Sequence, residues 1–204
     1  MNLLREASPA ALSSRSLSWE HSPAEWAPLP GEGIRVLTPP RVDYFQDPAG
    51  THTNDNAPFL WLAVRGDFVL RARLRPAFTT TYDAGAIMVR HNERRWAKLC
   101  YERTDQGANA VVSVVTRDTS DDANGPDLSV PDVWLQIARA GSLLGMHYRM
   151  DGSGWRMVRV FELAMPPEVR VGLVAQCPVG PGARVSFTSL EVERRSIGNL
   201  RAGG

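Results

Sequence analysis

Short apolar or alternating runs recur along almost the whole chain, broken by Gly, Pro, Asn and Asp. The clearest are Ile34–Leu37, Phe59–Val64, Phe68–Leu74, Ala86–Arg90 and Arg95–Arg103. They continue with Ala110–Arg117, Val133–Arg139, Leu143–Met150, Trp155–Phe161, Val169–Gln176 and Ala183–Val192. Runs of this length with period-two alternation predict β-strands. No window carries a helical repeat bounded by caps. The connectors carry turn chemistry: Arg65-Gly66-Asp67 links two runs, and Arg139-Ala140-Gly141-Ser142 and Asp151-Gly152-Ser153-Gly154 are hairpin signals that put Gly where tight turns need positive φ. Many short antiparallel strands predict a sandwich, jelly roll or barrel. The spacing is too irregular for a propeller, and no internal repeat is found.

Side chains alternate along a strand, so each run divides into two faces. Phe68, Leu70, Ala72 and Leu74 form one face, with Arg71, Arg73 and Arg75 on the other. Ala97, Leu99 and Tyr101 read as core, opposite Trp96, Lys98, Cys100 and Glu102. Ile87 and Val89 read as core, opposite Met88 and Arg90. Leu144, Met146 and Tyr148 read as core, opposite His147 and Arg149; Val158 and Val160 likewise, opposite Trp155, Met157 and Arg159. Several strands thus pair an apolar face with one mixing Trp, Arg, Lys, Glu and His. Such a mixture suits a ligand-binding sheet surface, where Trp stacks on a ring and charged groups bond hydroxyls or carboxylates. The bland alternative is that these aromatics pack under long loops.

Length and composition change the picture little. At 204 residues the chain suits one domain, and 43% hydrophobic with 22% charged residues is ordinary globular composition. A net charge of +1 removes the electrostatic case for nucleic acid. Lys98 is the one lysine, in a chain whose other basic residues, apart from four histidines, are arginine. Codon bias explains the arginines, and leaves open what an ammonium does there that a guanidinium fork would not. Cys100 and Cys177 belong to no CxxC or Cys/His motif and are expected as buried thiols. No signal peptide and no run of membrane-spanning length is visible, so a cytoplasmic protein without membrane contact is expected. Residues 1–16 are expected as a loosely ordered leader, 17–195 as the single domain and 196–204 as a flexible tail.

Catalytic motifs find little support. A retaining glycosidase needs two carboxyl groups about 5–5.5 Å apart, and no E-x-D-x-x-E run occurs. Glu102 has no carboxylate at i±2 or i±4, and Glu191 with Glu193 resembles a solvated edge. Lys98 and Glu102 share a strand face about 13 Å apart, marking two ends of a groove rather than a direct pair, with ion pairing of Lys98 to Glu102 or another acid as the alternative. Ser120-Asp121-Asp122-Ala123-Asn124-Gly125 partly matches the start of a calcium loop, but position 12 is Pro131. Asx-turn chemistry accounts for that run without an ion. His52 near Asp55 is a thin metal signal. No nucleophile elbow and no phosphate-binding Gly motif occur, and no catalytic residue, metal or cofactor is assigned.

A set of motifs then carries a family resemblance. Asn56-Ala57-Pro58-Phe59-Leu60-Trp61 precedes Gly66-Asp67-Phe68, and Tyr82-Asp83-Ala84-Gly85-Ala86-Ile87-Met88-Val89-Arg90 follows. Trp96-Ala97-Lys98-Leu99-Cys100-Tyr101-Glu102 comes next, then Ser113-Val114-Val115-Thr116 with Ser120-Asp121-Asp122. His147-Tyr148 before Asp151-Gly152, Trp155 with Arg159, and Gly172-Leu173-Val174-Ala175-Gln176-Cys177-Pro178 complete the set. In order and spacing these resemble the concanavalin-A-like family of uncharacterised bacterial proteins that includes the fungal "regulation of enolase" protein. The resemblance spans residues 30–192 and implies an all-β, two-sheet jelly-roll sandwich with a concave face. Ala86 and Cys100 stand where the family pattern has a second Gly and a small residue. Faces and motifs together nominate Asp83, Arg90, Trp96, Lys98, Glu102, His147, Arg159 and Gln176 as ligand-binding residues. The leading expectation is a binding module for a carbohydrate or small polar ligand. The alternatives are a protein-interaction domain that regulates metabolism and a glycoside- or polysaccharide-cleaving enzyme.

Overall fold

Most of the alternating runs become strands of two stacked sheets. A computed structural model describes residues 1–31 and 33–204. The described residues form one short helix, α1 (Pro9–Ser14), and sixteen strands. The first strands are β1 (Ser18–Glu20), β2 (Glu25–Pro28), β3 (Ile34–Leu37), β4 (Tyr44–Gln46), β5 (Thr53–Asp55), β6 (Phe59–Arg65), β7 (Phe68–Ala77) and β8 (Ala84–Asn92). They are followed by β9 (Arg95–Arg103), β10 (Asn109–Arg117), β11 (Thr119–Asp127), β12 (Val133–Ala140), β13 (Leu143–Arg149), β14 (Arg156–Glu162), β15 (Glu168–Gln176) and β16 (Arg184–Glu193). One sheet has the order β1-β6-β15-β8-β9-β10-β11, the other β14-β13-β12-β7-β16-β3-β2, and β4 pairs with β5 as a separate hairpin. The pairings within them are antiparallel. This is an all-β sandwich.

The two inner faces interdigitate as the alternation requires. Ile87, Val89, Ala97, Leu99, Tyr101, Val171 and Leu173 meet Phe68, Leu70, Leu74, Leu135, Ile137, Leu144 and Met146 in one buried cluster. The arginines Arg71, Arg73 and Arg75 point outward and are neutralised there. Arg71 pairs with Glu193 at 2.6 Å, and Arg73 and Arg75 reach Asp132 at 3.1 and 3.2 Å. In β14 the alternation fails, because the register shifts opposite Met146/His147 and Val158 is the extra residue. Phe161 therefore turns into the core, and Val160, expected inside, is only half-buried.

The two ends differ from expectation. The leader is anchored: Leu4 is fully buried, Leu3 N donates to Leu190 O at 2.7 Å, and Ser8 caps α1 ahead of Pro9. A Ser-Pro start is a helix signal, but six residues are too few to show a period. The tail is anchored too, with Ile197 buried and the Leu200 and Gly203 carbonyls bonded to His147 Nε2 (2.7 Å) and Gln136 Nε2 (2.9 Å). Ser120–Gly125 is part of edge strand β11 rather than a loop. Its extended backbone sends Asp121 and Asp122 to opposite faces, so the two cannot converge on one ion. Pro126 is tolerated because the strand is an edge.

Both hairpin turns that were expected from glycine form, with Gly141 at φ 63° and Gly152 at φ 76°. Gly154 lies outside the positive-φ set, and a Cβ there meets open space. Gly152→Ala is therefore expected to cost about 1 kcal/mol in urea denaturation while Gly154→Ala is neutral. Equal effects would place the turn elsewhere.

Candidate functional site

The outer face of the first sheet carries the chemistry. On β9 the core takes Ala97, Leu99 and Tyr101, which sends Trp96, Lys98, Cys100 and Glu102 outward. Across the sheet, Gln176 of β15 lies opposite Ala84 of β8, which lies opposite Glu102. Ala84 and its neighbour Ala86 are too small to keep these long side chains apart. Gln176 fills the gap: its Nε2 donates to Glu102 Oε2 (3.2 Å) and to Tyr82 O (3.3 Å). Its Oε1 accepts from Lys98 Nζ at 2.8 Å. Lys98 and Glu102 are thus joined through one amide instead of standing at unconnected ends of a groove. All three are buried, at 2%, 8% and 1% exposure for Lys98, Glu102 and Gln176.

The β4–β5 hairpin lies over this face. Asp43, just before β4, sets Oδ1 at 2.8 Å from Lys98 Nζ and also accepts from Tyr44 N at 2.7 Å. Burial disfavours the Lys98 ammonium, but the Asp43 and Glu102 carboxylates outweigh it and hold its pKa above the ordinary lysine value. Glu102 moves the other way. Burial pushes its carboxyl up to about 8, Lys98 opposes this in part, and Asp43 and Asp122 add to it. Burial also pushes the Cys100 thiol up, which makes it an inert core residue.

Between hairpin and sheet lies a cleft of about 430 Å³. Lys98, Glu102, Gln176, Val112 and Val114 line it from the sheet. Asp43, Phe45, His52 and Asn54 line it from the hairpin segment, and Tyr82, Pro178, Val179 and Asp122 complete the lining. Phe45 and His52 stack at 5.8 Å with 22° between planes. The arrangement can hold a small molecule between an aromatic wall and a hydrogen-bonding floor.

The structure brings Lys98, Glu102 and Gln176 together here and places the other nominated residues elsewhere. Trp96 is fully buried under Tyr44 (6.2 Å, edge-on), and its Nε1 donates to Glu93 O at 3.1 Å. Its ring is roofed, so the packed alternative describes it. Arg90 anchors the roof: it pairs with Asp55 at 2.9 Å and Glu20 at 3.3 Å, with its Cζ 5.2 Å from the Tyr44 ring centre. Asp83 organises a turn, accepting from Thr79 N (2.9 Å), Thr79 Oγ1 (2.7 Å), Thr80 N (2.8 Å) and Thr80 Oγ1 (2.8 Å). Burial opposes its ionisation, and these four bonds still hold its pKa below the usual value. His147 sits on the outer face of the other sheet, fully buried beneath the tail, where burial lowers its pKa. Arg159, on edge strand β14, pairs with Asp121 at 3.0 Å. Grouping strands by polarity thus joined Lys98 to His147, on the outer face of the opposite sheet, and to Arg159, which bridges the two sheets at their edge.

Sequence reasoning missed the roof. Tyr44–Gln46 and Thr53–Asp55 are three residues each, too short to show alternation. One signal was available: a lone buried lysine requires a carboxylate, although nothing local indicated Asp43. A wider, more open depression of about 590 Å³ adjoins the β8–β9 turn, lined by Glu20, Arg90 and Arg170 among others. Its best-placed charges already pair with each other, Arg90 and Arg170 both with Glu20. Among the described residues no group of three or more His, Cys, Asp or Glu is placed to hold a metal ion. No helix among them is long and apolar enough to cross a membrane.

Comparison with known proteins agrees with this architecture. Residues 19–195 match the family described as "Protein of unknown function (DUF1349)". The chain belongs to that family. It is 25% identical over 156 residues to "Regulation of enolase protein 1" of Saccharomyces cerevisiae, covering 76% of this chain and 78% of the relative. A crystal structure of a functionally unknown protein from Saccharomyces cerevisiae superposes with TM-score 0.81 at 23% identity, over 88% of this chain and 96% of that one. The GH43 protein BlXynB of Bacillus licheniformis gives TM-score 0.74 at 12% identity, with 95% of this chain on 39% of that one. This chain therefore spans well under half of that hydrolase. The exoplasmic/lumenal domain of VIP36, in its Ca2+/Man3GlcNAc-bound form, gives TM-score 0.60 at 10% identity over 97% of this chain and 90% of that one. At these identities the likeness to the last three is one of fold.

Proposed function

We propose that the protein is a binding module that holds a carbohydrate or other small polar ligand in the cleft under the β4–β5 hairpin. The observation that carries this reading is the cleft's composition. A floor of Lys98, Gln176 and Glu102 lies beside the stacked Phe45 and His52, with Tyr82 38% exposed at the rim. Sugars present hydroxyl edges and apolar ring faces, and such a lining offers partners for both. VIP36, similar in fold, has been solved in a Man3GlcNAc-bound form, which fits the reading. A glycan array and a metabolite thermal-shift screen test it. The expected result is stabilisation by a polyhydroxylated ligand that is lost in Gln176→Leu.

The 25% identity to "Regulation of enolase protein 1" of yeast favours a second reading, a regulatory domain that acts through a protein partner. Silence in both screens, with a partner recovered by pull-down and reconstituted from purified components, would replace the first reading with the second.

A further inference from the structure

The hydrogen-bond ledger of the cleft is uneven. Its one lysine is largely spent: two Lys98 ammonium hydrogens go to Asp43 Oδ1 and Gln176 Oε1. Both Gln176 N–H groups are engaged, and its oxygen has taken one of the two bonds it can accept. Among the acidic groups, acceptor capacity remains. Glu102 uses only Oε2 and Asp43 only Oδ1. The side chain of Asp122, exposed on edge strand β11, makes no hydrogen bond or salt bridge among the described residues. Two carboxylates, Asp43 and Asp122, thus line the cleft together with the protonated Glu102 carboxyl, against one ammonium that is already paired with Asp43.

Resting on the proposed function above, we propose that the cleft selects polyhydroxylated ligands that carry a protonated amine and rejects those that carry a carboxylate or phosphate. An ammonium set near Asp122 supplies donors to oxygens that have none, and it offsets an uncompensated negative charge. A ligand carboxylate there meets the like charge of Asp122. The apolar strip of Val112, Val114 and Pro178 beside these oxygens lowers the local polarity, which strengthens both effects.

The test uses three probes on one ring scaffold, glucosamine, glucose and glucuronate, titrated into the full chain at pH 6.5 and low salt. Glucosamine is expected to bind about tenfold tighter than glucose, and glucuronate weaker than either. Asp122→Asn is expected to shrink the glucosamine preference severalfold while leaving the melting temperature unchanged. Raising salt to 0.5 M is expected to erode the preference in the parent chain. Equal binding of all three, or tightest binding of glucuronate, overturns this inference and leaves the carbohydrate reading standing. No binding of any probe at millimolar concentration overturns the carbohydrate reading and this inference with it.

Discussion

Lys98→Met is expected to lower the unfolding free energy by about 3 kcal/mol. The methionine keeps the apolar stem and removes the ammonium. In the sequence two outcomes were open: a charge facing a ligand groove without a structural partner, or one half of a buried ion pair. The structure assigns the partner. Asp43 Oδ1 lies 2.8 Å from Lys98 Nζ, and the two side chains are 13% and 2% exposed. Removing the ammonium strands a mostly buried carboxylate and deprives Gln176 Oε1 of its donor. Stranding one partner costs more than the pair contributes, because its desolvation is no longer offset. Lys98→Met combined with Asp43→Asn is therefore expected to recover part of the loss. Urea denaturation of the two variants checks both numbers. A loss under about 1 kcal/mol in the single variant would mean that water reaches Asp43 and that the roof opens.

The sandwich was legible in the chain because each long strand has one face that only a core can hold. Ala97, Leu99 and Tyr101 on β9, and Phe68, Leu70 and Leu74 on β7, declare themselves by alternation. Alternation says which residues share a face of one strand. It does not say which faces of different strands share a side of the molecule. Trp96 and His147 looked alike in the sequence, yet one lies under the β4–β5 hairpin and the other under the C-terminal tail, on opposite sheets. That assignment depends on strand order, and strand order here is far from chain order: β15 lies between β6 and β8. The same non-sequential order brings Gln176 beside Lys98, 78 positions away. The roof was hidden for a different reason. Asp43, Phe45 and His52 belong to elements of three residues and their flanks, and these hold their place by packing Tyr44 on Phe59 and Trp96. Stability borrowed from tertiary contacts leaves little local trace.

Glu102→Gln is expected to stabilise the protein at alkaline pH and to leave it unchanged in acid. In the fold the carboxyl is raised from an ordinary value of 4.5 to about 8, chiefly by burial. Below pH 4.5 folded and unfolded chains both hold the proton, and Glu102 makes no pH-dependent difference. Between 4.5 and 8 the folded chain keeps a proton that the unfolded chain has released, so stability falls as pH rises. Above 8 the folded carboxyl is ionised in a site that disfavours charge, and the cost is complete at roughly 3–5 kcal/mol. Glutamine removes this cost. Its amide oxygen still accepts from Gln176 Nε2, and it never ionises. The parent is therefore expected to lose midpoint steadily from pH 5 to pH 9 in urea, beyond the slope of Glu102→Gln. The variant should match the parent near pH 4 and exceed it by about 3–5 kcal/mol at pH 9. Parallel curves across that range would show that Glu102 titrates as an ordinary carboxylate. Water would then already reach it through the cleft, and the closed floor built on Gln176 would have to be abandoned.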